Sequence, residues 1–229
     1  MIIYMKIKHH SIFKELSTQK IDWSKLRINK NEKGYYLPND FSQYVEDRNW
    51  DVKYDGIINN IENIVNRHKI DRIISLVSGV AALEYHLKKK LNVKVEVSDY
   101  DNSINILDSF KIFDKAFAID LKTNFEINCD KHTLILLSRV DTELSDQELE
   151  SLFSKLYKLN ASSIYFIPAQ VLNFSTVIRE IKIFIYSILL RKKRVFCGYS
   201  RSKLSFVSSW KFYYKYSFLK STNDFFIYI

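Results

Sequence analysis

The sequence predicts an α/β protein with a three-layer, doubly wound and mostly parallel sheet. Three observations lead there. From Ile70 onward, β-branched apolar runs alternate with amphipathic segments that carry leucines at helical spacing. Two of the runs, "RIISLVS" (Arg72–Ser78) and "HTLILLS" (His132–Ser138), are the near-continuous apolar kind found in strands buried on both faces. The composition, 47% hydrophobic and 27% charged over 229 residues, supplies a core for one substantial domain.

The first 55 residues lack the alternation. "GYYLPNDFSQYVEDRNWD" (Gly34–Asp51) is aromatic, polar and turn-rich, so residues 1–55 read as an N-terminal helical and aromatic cap and 56–229 as the main domain. "YDGIINNIENIVNRH" (Tyr54–His68) is an amphipathic helix that leads into the first strand, Arg72–Ser78. "AALEYHLKKKL" (Ala81–Leu91) is the next helix, with a basic end that suits a helix C-terminus.

"VKVEVSD" (Val93–Asp99) is a strand expected to lie parallel to the first, "NSINILDSFKIF" (Asn102–Phe113) a helix, and "KAFAIDL" (Lys115–Leu121) a short strand. After His132–Ser138 comes "SDQELESLFSKLYKLN" (Ser145–Asn160), which opens on a capping box of Ser145 and Glu148. "SSIYFIPAQVL" (Ser162–Leu172) is a strand halted near Pro168. The tail predicts a helix over 200–210 and strands over Tyr213–Leu219 and Asp224–Ile229, one of them antiparallel.

"VIREIKIFIYSILLRKKR" (Val177–Arg194) is the one membrane suspect. Spanning needs ~20 apolar residues, and Arg179, Glu180 and Lys182 interrupt this run. It reads as a helix packed on the sheet, with interfacial attachment as the lesser reading.

The net charge of +9 invites nucleic acid, an anionic surface or an anionic substrate. The cations are scattered apart from Lys88–Lys90 and Arg191–Arg194, and no zinc-finger or RNA-recognition signature is present. Most of them are therefore expected on solvated faces. Two distant cysteines, Cys129 and Cys197, and no signal peptide predict a reduced, cytoplasmic protein. Five histidines, His9 and His10 among them, show no metal-site spacing, so no metal is expected.

In open parallel sheets, ligands bind at the carboxyl ends of the strands. Those ends carry "SLVSGVAALE" after the first strand and "VSDYD" after the second, where Asp99 stands 20 residues beyond Gly79. That offset suits an acid that holds ribose hydroxyls. The third ends at Asp120 and the fourth at "LLSRVDTEL", with Arg139 and Asp141.

This order resembles the class I S-adenosylmethionine-dependent methyltransferases over residues 56–229. In that family the first strand ends in D/E-x-G-x-G-x-G around the methionine portion of the cofactor. Here Ser75, Val77, Gly79 and Ala81 stand at the acid and the three glycines. The resemblance implies S-adenosylmethionine held by Ser75, Val77, Ser78 and Gly79. Asp99 and Tyr100 would serve at the ribose, Asp120 and Leu121 at the adenine, and Ser138 at the fourth strand end.

Arg139, Tyr199 and Arg201 are the candidates for the acceptor, the last two within "GYSRSKLSFV" (Gly198–Val207), which resembles a late segment of small-molecule and glycan methyltransferases, and Asp141 is the candidate base. The expected activity is methyl transfer to a small-molecule or sugar hydroxyl. The alternatives are a catalytically degenerate binding or partner protein of the same fold, and an RNA-associated methyltransferase. Removing the Asp99 carboxylate is expected to weaken cofactor binding with little change in melting temperature.

Overall fold

The computed structural model describes residues 6–8, 23–31, 35–49, 54–100, 103–123, 125–174, 176–178, 181, 182, 185, 189 and 199–229. His9, His10, Arg191–Arg194, Cys197 and Gly198 lie outside the described residues. In chain order the elements begin with β1 (Lys6–Lys8), α1 (Trp23–Ile28), α2 (Phe41–Asn49) and α3 (Asp55–His68). There follow β2 (Arg72–Leu76), α4 (Ala82–Lys90), β3 (Lys94–Asp99), α5 (Ser103–Ser109) and β4 (Lys115–Ala118). Next come β5 (Thr133–Ser138), α6 (Asp146–Lys158), β6 (Ser163–Ile167), β7 (Tyr199–Arg201), α7 (Lys203–Ser208), β8 (Lys215–Leu219) and β9 (Asp224–Tyr228).

The chain forms two units. One comprises Asp22–Ser138, Lys155–Ile167 and Tyr214–Ile229 and holds a seven-stranded sheet in the order β4-β3-β2-β5-β6-β9-β8. β4, β3, β2, β5 and β6 are mutually parallel, whereas β9 runs antiparallel to both β6 and β8. Strand order reverses between β2 and β5, the point at whose carboxyl ends open parallel sheets bind their ligands. The expected parallel pairing of the first two long strands is present, with Arg72 opposite Lys94 and Ser75 opposite Val97.

Alternating side chains explain the layering. Ile73, Leu134, Leu136, Tyr165 and Phe226 share one core with Ile58, Ile61, Ile64 and Val65 of α3 and Leu83 and Leu87 of α4. The intervening Ile74, Leu76, Ile135 and Leu137 are buried as well, so the central strands are covered on both faces. Each aliphatic side chain so buried contributes about 1.5–3 kcal/mol. α3 ends where Lys69 turns left-handed at φ 54° and its N–H closes on the Val65 carbonyl. Against the same side of β3, Tyr44 of α2 and Leu107 of α5 pack on Val95 and Val97.

The other unit comprises Met1–Ile21, Arg139–Ser154 and Pro168–Tyr213. Its β1 and β7 pair antiparallel, Lys6 opposite Arg201. That pairing takes Tyr199–Arg201 into a strand, so the tail helix is confined to Lys203–Ser208, capped by the Ser202 hydroxyl on the Ser205 N–H. The anticipated capping box at Ser145 is formed, its backbone N–H reaching Glu148 Oε2 at 2.7 Å and the Glu148 N–H reaching Ser145 Oγ at 3.3 Å. No described helix is long and apolar enough to cross a membrane.

Candidate functional site

β2 stops at Leu76, two residues short of its expected end, because Val77 turns left-handed at φ 60°. Gly79 follows at φ 65° and Ala81 at φ 51°, giving three left-handed residues at spacing two. Valine in this region is a true outlier, and a Cβ there costs roughly 1–2 kcal/mol. The strain persists because neighbours hold the loop. The Ser78 N–H donates to the Ser98 carbonyl at 2.7 Å, and Ser98 Oγ bonds back to the Ser75 carbonyl at 3.0 Å. The Tyr44 hydroxyl reaches the carbonyls of Val80 and Ala81, both at 3.1 Å. A Cβ on Gly79 would meet nothing within 4 Å, so this residue presents bare backbone to open space.

The Asp99 carboxylate lies directly beneath this turn. The Gly79 N–H donates to its Oδ2 at 2.8 Å and the Tyr100 N–H to its Oδ1 at 2.7 Å. Arg27 of α1 also donates through Nη2 to Oδ2 at 2.8 Å, and through Nη1 to Ser103 Oγ. Both partners are buried, with side chains 8% and 0% exposed. The sequence offered no signal for this pair, since a lone arginine in a polar segment 72 residues away has no period or spacing to betray it.

Ser75, at the family's acid position, donates to Glu84 Oε1 at 2.5 Å. Ser75 is fully buried and Glu84 is 2% exposed, so a carboxylate reaches the end of β2 from the helix rather than from the strand. Burial pushes the Glu84 carboxyl up to about 7, with the Asp99 charge adding to the rise and the Ser75 hydrogen bond opposing it. A single glutamate in a basic, leucine-spaced segment reads as a solvated face, which is why the sequence did not reveal it.

Asp120 lies beyond β4, exposed, and caps its own turn by accepting the Lys122 N–H at 2.9 Å. The Ile119 N–H donates to the Asp99 carbonyl at 2.9 Å, which ties this strand end to the previous one. Leu121 and Ser138 are half-buried, Ser138 in register with Ile167. Ser75, Val77, Ser78, Gly79, Asp99, Tyr100, Asp120, Leu121 and Ser138 therefore all lie at carboxyl ends of β2 to β5 or just beyond them.

The remaining candidates belong to the other unit. Arg139 is exposed and left-handed at φ 59°, opening a 3-10 turn over Val140–Thr142. Asp141 is 1% exposed and accepts the Ala169 N–H at 2.9 Å. Burial pushes its carboxyl up to about 6, opposed by the Ala169 hydrogen bond and by the charges of Arg201 and Arg139. Arg201 is equally buried; its Nη2 donates to the Leu144 carbonyl at 2.8 Å and lies 3.2 Å from Asp146 Oδ1. Its Nε and Nη1 are buried with no hydrogen-bond partner among the described residues. Tyr199 is placed by its backbone in β7, opposite Lys8. No cluster of three or more metal-binding side chains occurs among the described residues.

No protein-family model matches the sequence, and neither does any curated protein. Solved structures do match. Human N-acetylserotonin methyltransferase in complex with S-adenosylmethionine is 14% identical, with a TM-score of 0.57 over 90% of this chain and 57% of that one. Mitomycin 7-O-methyltransferase MmcR is 10% identical, TM-score 0.50, over 80% of this chain and 59% of that one. A protein of Pyrococcus horikoshii OT3 is 14% identical, TM-score 0.54, over 78% of this chain and 92% of that one. The chain thus spans less than two thirds of the two methyltransferases. With its five parallel strands, its antiparallel β9 and its glycine-loop backbone, the chain has the fold of the class I S-adenosylmethionine-dependent methyltransferases.

Proposed function

We propose that the protein transfers a methyl group from S-adenosylmethionine to a hydroxyl of a small-molecule or sugar acceptor. The observation that carries this reading is the left-handed trio Val77, Gly79 and Ala81 with the Gly79 amide on the Asp99 carboxylate. A glycine-loop backbone kept at two positions without glycine points to a retained shape, because an ordinary strand–helix corner has no need of the strain. The open side of Gly79 and the carboxylate beside it suit the cofactor. On this reading Ser75, Val77, Ser78 and Gly79 hold its methionine portion, Asp99 and Tyr100 its ribose, and Asp120 and Leu121 its adenine, with Ser138 lining the fourth strand end.

When bound, the sulfonium supplies the reactive methyl group. The chain's part is to bind, to orient, and to manage the acceptor's proton. Arg139, Tyr199 and Arg201 are proposed for the acceptor, and the two unpartnered Arg201 nitrogens favour one with an anionic or carbonyl oxygen. Asp141, whose carboxyl burial pushes up to about 6, is the proposed base. Asp141→Asn should then abolish turnover with cofactor affinity unchanged in a binding titration. The acceptor class draws on the names of the matched enzymes, which act on N-acetylserotonin and mitomycin. Residues 1–55 are proposed as the cap and the cytoplasm as the compartment.

One observation favours a second reading, a catalytically degenerate binding protein: Arg27 already occupies the carboxylate assigned to the ribose. Calorimetric titration with S-adenosylmethionine and its demethylated product separates the two. The first reading expects saturable binding at roughly micromolar levels. It also expects loss of that binding in Gly79→Val, whose side chain would fill the open side of the loop. No heat at about millimolar cofactor would establish the second reading instead.

A further inference from the structure

Glu84 has no role in the methyl-transfer reading. It lies in the first turn of α4, where its side chain, 2% exposed, accepts the Ser75 hydroxyl at 2.5 Å. That bond ties the helix to β2 and closes, at its base, the turn that holds Val77, Gly79 and Ala81. The Asp99 carboxylate underlies the same turn, and its charge reaches Glu84. Arg27 answers the charge of Asp99 at 2.8 Å, whereas the side-chain partner of Glu84 is a neutral hydroxyl.

The charged groups on the surrounding elements are engaged with one another or with aromatic rings. Lys88 of α4 pairs with Asp114, Lys90 with Glu62 of α3, and Arg72 of β2 with Glu96 of β3. Lys89 lies over the Tyr85 ring and Arg48 of α2 over the Tyr44 ring, while the His86 ring rests against Tyr54 and Tyr85. Ionising Glu84 therefore leaves the Arg27, Asp99 and Glu84 group with one negative charge in excess. Burial opposes that step and pushes the carboxyl up to about 7.

The ligand's own charge decides which form of Glu84 it prefers. S-adenosylmethionine carries a sulfonium, an ammonium and a carboxylate, so its net charge is positive. Loss of the methyl group leaves a neutral thioether and no net charge. The Ala81 N–H closes on the Ser78 carbonyl and the Tyr85 N–H on the Ala81 carbonyl. Two tight turns, each under about 7 Å, thus carry the chain from Gly79 to Glu84. At an effective dielectric of about 20, a unit charge about 12 Å away moves a titrating group by about one pH unit. A cation over Gly79 and the proton on Glu84 therefore compete.

We propose that Glu84 is a specificity-determining residue: its buried carboxylate, held beneath the loop by Ser75, favours the sulfonium cofactor over the demethylated product. The proposal rests on the methyl-transfer reading.

The test is calorimetric titration of the full chain with each ligand from about pH 5.5 to 7.5. Cofactor affinity should rise about five- to tenfold across that window, because binding drives off the Glu84 proton, while affinity for the product stays within about twofold. Near the middle of the window, cofactor binding should release about half a proton, read from the heats in buffers of different ionisation enthalpy. In Glu84→Gln, which keeps the side chain's shape, both the rise and the release should vanish. Ser75→Ala withdraws the hydrogen bond that favours the charged form, so the rise should move to higher pH. A rise of equal size in Glu84→Gln overturns the proposal, as does the same pH dependence for both ligands. Cofactor binding with a flat pH profile overturns this proposal alone, whereas no cofactor binding at any pH overturns it together with the methyl-transfer reading.

Discussion

Asp99 accepts from two loop amides and from Arg27, and it is wholly withdrawn from solvent. That arrangement overturns the expectation that removing the carboxylate leaves stability untouched. Breaking a buried pair from one side leaves an uncompensated charge, at about 3–5 kcal/mol. Asp99→Ala should therefore depress the melting temperature markedly as well as weaken cofactor binding, readable by calorimetry on the same sample. Arg27→Ala should also lower the melting temperature, for the mirror-image reason. Its effect on the ligand is opposite in sign. Because Arg27 holds the oxygen that a ribose hydroxyl would need, cofactor affinity should rise severalfold in this variant, and a fall would show that Arg27 supports the site rather than guards it. Asp99 was legible from its offset beyond Gly79, whereas Arg27 was not, because pairing across 72 residues leaves no local trace.

At the scale of elements, the alternation and the apolar runs located every long strand of the sheet, since periodicity and length are local properties that burial must satisfy. The left-handed conformations at Val77 and Ala81 were not readable, because their own residues argue against them. Tertiary bonds impose them. Tyr44→Phe removes one hydroxyl that serves two loop carbonyls, so it should cost about 1–2 kcal/mol in chemical denaturation and weaken cofactor binding. Val77→Gly should be tolerated, within about 1 kcal/mol of the wild type, as relief of strain offsets the entropy of a freer unfolded chain. A loss well beyond that figure would mean the valine side chain is itself a packing element. The tail helix was over-extended for a different reason: strand pairing of Tyr199–Arg201 with the N-terminal β1 is a long-range event.

For the molecule as a whole, three buried carboxyls among the described residues are raised by burial: Glu84 to about 7, and Asp141 and Asp224 to about 6. An acid whose folded value exceeds its unfolded one favours the folded state while protonated. That contribution is complete below pH 4 and is lost as pH rises through 6 and 7. The melting temperature should thus decline from about pH 5 to pH 8, a slope that differential scanning calorimetry reads directly. For Glu84 the rise from 4.5 to about 7 corresponds to roughly 3 kcal/mol. Glu84→Gln should flatten the slope and melt higher than the wild type at pH 8 but not at pH 5. A variant with the same slope would place the titration elsewhere.

The bond from Tyr44 to the turn after β2 makes the loop non-portable. A motif rich in glycine carries its conformation with it and can be transplanted between scaffolds. This one borrows its conformation from a helix nearly forty positions upstream, so a chimera that imports only the strand and its turn should inherit the residues without the geometry.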